Sequence, residues 1–164
     1  MQLYYIAFKV RGAIMELSQL LHGHMDEILS EAESSLSRSH LAHYQKEGSE
    51  HNRQKLKALY VLAVRAIAEK NLGPMLSYSE TIARERYETG FDLSEVQTAF
   101  NVLEEAAWRF VVKNLPPVEY GEAIGMVSTV LGAGKDMLAR TYVMLASKSR
   151  APSFDLRSMF AGTY

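Results

Sequence analysis

The chain contains no cysteine, which excludes disulfides, thiolate nucleophiles and thiolate metal sites together. Proline is scarce, with four residues in 164, and three of them (Pro74, Pro116 and Pro117) stand at only two points of the middle region. No charge of one sign dominates: 18 basic residues face 19 acidic ones, a formal charge of -1. No basic stripe stands out, so phosphate-driven binding to nucleic acid is not expected. No stretch approaches the ~20 apolar residues that span a bilayer. The apolar start, residues 1–10, has no positive leader before it and is followed by Arg11, so it reads poorly as a secretion signal. Lack of cysteine is compatible with a cytoplasmic location. Runs of alternating β-branched residues and internal repeats are also missing.

What is present is ordinary globular material, 48% hydrophobic and 23% charged, long enough for one domain. Its apolar residues recur at helical spacing. Residues 15–36 place Leu17, Leu20, Leu21, Met25, Ile28, Leu29, Ala32 and Leu36 at helical spacing, and the serine-rich stretch 34–39 reads as a break or a weak helix. Residues 40–47 form a short polar helix, 50–71 a longer one, and Gly73 and Pro74 mark a stop and a restart. Residues 75–89 and 93–113 are two amphipathic segments joined by a tight corner. Gly90 suits the left-handed residue beyond a helix, Asp92 an N-cap, and Glu95 the return half of a capping box. Pro116 and Pro117 close the second segment, and a long last helix covers about 118–147. The expectation is an all-α protein of five to seven helices. It has an N-terminal arm (1–14), a helical domain (15–147) and a C-terminal tail (148–164).

No catalytic set is visible. His40, His43 and Glu47 fall on one face if their segment is helical, a spacing that can hold zinc, although solvated histidines are the simpler reading. Gly132-Ala133-Gly134-Lys135-Asp136 fails as a phosphate loop, because Thr129 and Asp136 stand where a glycine and a hydroxyl residue are required. No cofactor is expected. Glu104 and Glu105 read as a solvated side, as do Glu80, Arg84, Glu85 and Arg86. Tyr60, Phe100 and Trp108 line an apolar ligand pocket or simply fill the core. Leu131, Gly134, Leu138 and Leu145 form a near-heptad row, suited to a seam between two copies or to a ridge inside one.

The corner carries a family likeness. Arg86 and Gly90 through Val96 match an Arg-x-x-x-Gly-Phe/Tyr-Ser/Asp-Leu-x-Glu pattern, and residues 15–147 resemble the amino-terminal domains of RsbR-type stressosome sensors. Related domains precede some bacterial histidine kinases. The resemblance implies a globin-like helical fold without haem, a homodimer, and a non-enzymatic sensory or signal-relay role in stress response. It implies contact with a regulatory protein partner and leaves room for a small-molecule signal. The alternative is a globin-like protein that binds a small apolar ligand or haem. A haem globin needs a proximal histidine, and residues 77–92 contain none.

Overall fold

A computed structural model describes residues 17–150, with side chains described through residue 148. Helix α1 occupies residues 17–23 of the described chain. It is followed by α2 (Met25–Arg38), α3 (Ala42–Glu47), α4 (Ser49–Glu69), α5 (Gly73–Glu88) and α6 (Leu93–Asn114). A 3-10 turn (Pro117–Glu119) leads into α7 (Tyr120–Arg150), the longest helix. The described residues are therefore all-α, with seven α-helices and no strand. The arm, residues 1–14, and the tail beyond residue 150 lie outside the described residues.

Local chemistry explains most helix ends. Pro116 and Pro117 stop α6, and Pro117 then opens the 3-10 turn, where its missing amide is not needed. Three expectations are corrected and one alternative is decided. The first long helix is broken at His24, which leaves helical geometry at φ -115° and bonds through Nδ1 to Leu20 O. Of the two readings of the serine stretch, a break or a weak helix, the helix holds, and α2 runs on to Arg38. Ser34 and Ser39 donate back to carbonyls four residues earlier, and Leu36 stays buried, so tertiary packing overrides weak propensity. Gly73 is the first residue of α5 rather than a stop; Lys70, at φ 50°, ends α4. Glu104 is not solvated: it is 6% exposed and accepts from Lys135 at 2.6 Å.

α6 and α7 form the centre. α5 packs along α7, α2 along α6, and α4 bridges α2, α5 and α7. Phe100, Leu103, Leu131, Leu138, Met75, Ile28 and Leu29 are almost fully buried between them. Each such side chain contributes roughly 1.5–3 kcal/mol by leaving water. On the α2–α6 surface, Glu27–Lys113 and Glu31–Arg109 pair at 3.0 and 2.8 Å. These exposed pairs add little to stability and mainly fix which sides meet.

Gly134 sets how closely α7 approaches its neighbours. A Cβ built there would lie 2.8 Å from the Phe100 ring, 3.0 Å from Ser79 Oγ and 3.2 Å from Met75 Sδ. A Cβ at Gly132, two residues earlier, meets nothing within 4 Å. Alanine is favoured over glycine in a helix by ~1 kcal/mol, so the two sites separate propensity from packing. Gly132→Ala is expected to stabilise the fold by up to about 1 kcal/mol. Gly134→Ala should destabilise it by about 1–3 kcal/mol through overpacking. Urea titrations of both variants check the opposite signs.

Candidate functional site

The corner between α5 and α6 gathers the most unusual side chains of the molecule. Gly90 adopts φ +84°, which a side chain would disfavour. Its amide donates to Tyr87 O at 3.2 Å, and the Phe91 amide donates to Arg86 O at 2.9 Å. This double closure is a Schellman motif, in which the residue after the glycine meets the residue five before it. Here that contact is Phe91 against Arg86: the guanidinium carbon lies 4.2 Å from the Phe91 ring centroid. Asp92 then takes extended geometry as N-cap of α6, and its amide donates to Glu95 Oε2 at 3.0 Å, as the capping box requires.

Arg86 is only 2% exposed, so the expectation of a solvated arginine is wrong. Its guanidinium donates to Glu47 of α3 and faces the Tyr44 ring at 5.6 Å. A buried cation needs such partners, because desolvation otherwise costs several kcal/mol. Glu47 Oε2 has no hydrogen-bond partner; His51 Nε2 lies 3.7 Å away. His43, also on α3, stacks on Phe91 at 4.6 Å and donates from Nδ1 to Glu95 Oε2 at 2.8 Å. With a carboxylate as acceptor, the proton belongs on Nδ1. Tyr142 of α7 closes the ring of contacts by donating to Phe91 O at 3.2 Å. Asn52 holds α3 against α4, donating from Nδ2 to Tyr44 O at 2.8 Å. Thus a six-residue helix, a corner and the long last helix meet on Arg86 and Phe91.

Behind Arg86 is a small cavity of about 30 Å³, bounded by α3, α4, α5 and α6. Burial holds the phenols around this region protonated. The pKa of Tyr78 is pushed up to about 12, chiefly by desolvation, and that of Tyr44 further up for the same first cause. Tyr142 is likewise raised to about 12, mainly by burial. At the same end of α5, next to Arg86, the Lys55 hydrogen bond holds the Glu85 carboxyl below the usual carboxylate range.

The side chains singled out from the sequence are distributed as follows. His40 lies outside α3 at φ 52°, so it does not share a helical face with His43 and Glu47. Those two turn to different partners, Glu95 and Arg86. Among the described residues no three His, Asp or Glu side chains come together to hold a metal ion. Tyr60 is buried and donates to Leu21 O at 2.8 Å, whereas Trp108 is 37% exposed and reaches Ser128 Oγ at 3.2 Å. Phe100 borders the small cavity and neither of the others does. The three do not enclose a common space, and 30 Å³ is far too small for a porphyrin. Leu131, Gly134 and Leu138 face inward, and Leu145 is half-buried. The heptad row is thus occupied by α5 and α6, and a seam between copies cannot use its first three members without opening the bundle.

Residues 16–144 match the family model described as the RsbT co-antagonist protein rsbRD N-terminal domain. The chain belongs to this family. No curated protein and no solved structure matches it. Membership in the rsbRD N-terminal family implies a bacterial sensory or regulatory domain of the stressosome. No helix among the described residues is long and apolar enough to cross a membrane.

Two measurements probe the corner of this rsbRD-type domain. Arg86→Met leaves the half-buried Glu47 without its cation and is expected to lower stability by up to about 3 kcal/mol; adding Glu47→Leu should return part of that loss. Denaturant midpoints of both variants check it. Alkaline pH supplies the second. A phenol whose folded pKa is raised contributes stability that is intact below its ordinary pKa of 10 and lost as the pH rises towards about 12, the value for Tyr78 and Tyr142. Phenolate absorbance should therefore rise together with loss of helical circular dichroism.

Proposed function

We propose that this chain is a non-enzymatic cytoplasmic sensory module that forms a homodimer and relays a signal by contact with a separate regulatory protein. Family membership supports the sensory class. The observation that carries the dimer is the outer face of α6 and α7. Trp108 and Val112 are 37% and 49% exposed there, and with Ile124 they line an open groove of about 750 Å³. On the neighbouring groove, lined by Ala66 and Ile67 of α4, α7 carries Gly121 and Gly125, where an added Cβ meets nothing within 4 Å. Packing inside the protomer gives no reason for these glycines, each unfavourable by ~1 kcal/mol relative to alanine. A second helix crossing close to the backbone would give one.

A dimer built on this face leaves the Arg86 corner free to respond. A change at the corner passes to α7 through the Tyr142–Phe91 hydrogen bond, and α7 carries it to the paired surface.

Val112→Glu tests the assignment. Sedimentation of the parent chain should give a dimer and that of the variant a monomer, with thermal stability changed by no more than about 0.5 kcal/mol, as for other surface substitutions. A variant that sediments like the parent places the contact elsewhere and overturns this face.

A further inference from the structure

The cavity behind Arg86 plays no part in closing the corner, yet its lining is chemically one-sided. Lys55 and Arg86 border it and no acidic side chain does; the carboxylates that pair with them, Glu85 and Glu47, lie outside the lining. Tyr44 and Tyr78 border it as well, and neither hydroxyl bonds to a described residue. Both phenols stay protonated because burial disfavours the phenolate, so each is available as a donor. Asn52 supplies the one complementary group. Its Nδ2 is committed to Tyr44 O, which fixes the orientation of the amide and leaves Oδ1 buried without a partner. A buried carbonyl oxygen in that state needs a hydrogen from something else.

Size narrows the occupant. About 30 Å³ accommodates two water-sized volumes at ~10–15 Å³ each, or a species of three or four heavy atoms. Of the lining, only Lys55 and Tyr78 are partly exposed, so they mark the mouth, and Asn52 and Arg86 lie deeper. Water can donate to Asn52 and accept from both cations, but it brings no charge to complement them. A simple anion suits the cations but has no hydrogen for Asn52.

We propose that this cavity binds a small oxyanion bearing one O–H group, of the hydrogen carbonate class. Arg86, Lys55 and the two phenols donate to its oxygens, and Asn52 Oδ1 accepts its hydrogen. The binding gives the sensory reading a ligand and rests on that reading only for its purpose. Binding is read on the isolated chain and dimerisation by sedimentation, so either fails without the other.

The experiment follows amide chemical shifts while sodium hydrogen carbonate is added at fixed, mildly alkaline pH and constant ionic strength. Sodium chloride is the control, and sodium nitrate is the planar analogue with no O–H. Saturable shifts in α3, α4 and α5 are expected with hydrogen carbonate, and binding about tenfold weaker with nitrate, the loss of one charge-assisted hydrogen bond. Arg86→Lys is the direct variant but disturbs the corner. Tyr78→Phe keeps the ring and removes only the hydroxyl, and it should weaken hydrogen carbonate binding by about tenfold. Absence of saturable shifts beyond the chloride control would mean water alone fills the cavity and would overturn the proposal. Equal affinity for nitrate, or unchanged affinity in Tyr78→Phe, would overturn it too.

Discussion

Burial of the Arg86 guanidinium is the constraint around which the rest of this bundle is arranged. A permanent charge removed from water must find an acid and polarisable faces close by, and few positions can supply them together. Glu47 provides the acid, which obliges the short helix α3 to dock where it does. Phe91 provides the nearer ring, which obliges the chain to turn within two residues of the end of α5. Glycine takes the positive φ of that turn at the least cost, and Gly90 stands there. The same ring supports His43, whose imidazole holds the carboxylate that caps α6. One buried cation therefore orders a helix, a turn and a helix start in sequence.

The two halves of α7 have different duties. Its middle carries Leu131, Gly134 and Leu138, all buried against α5 and α6. Its beginning carries Gly121 and Gly125 on an open groove facing Ala66 and Ile67 of α4. At Gly134 glycine serves close approach to the protomer's own Phe100; at Gly121 and Gly125 nothing in the protomer comes near. A helix divided in this way connects the interior of the domain to a surface suited to association, with Tyr142 tying it to the corner. That connection is the route the proposed relay would use.

Local features were legible in the sequence, and distant partners were not. Gly90, Asp92 and Glu95 lie within six residues, and their roles follow from backbone geometry alone, so the corner could be read directly. Arg86 was misread because its neighbours on α5 include acids at pairing distance, whereas its true partner lies 39 residues earlier in the chain. Glu104 was misplaced for the same reason, since Lys135 that neutralises it comes from another helix. The spacing of His40, His43 and Glu47 presumed a helix that begins before it does; a left-handed residue at His40 removes the first of the three. A heptad row shows that a ridge exists but not whose groove receives it, and here the groove belongs to α5 and α6. Asn52 gave no signal at all, and His43 stood out only as a metal ligand, not as the partner of Glu95. Each acts through a partner that only folding brings near.

The close fit at Gly134 has a mechanical consequence for α7. Sliding that helix along its axis by four residues, about 6 Å, would bring Val130 or Leu138 beneath the Phe100 ring, into a gap too narrow even for a methyl group. Piston travel is blocked, while rocking about the notch leaves the contact intact. The helix is mounted like a lever on a fulcrum, so a small push at the Tyr142 end appears as an opposite swing at the Gly121 end.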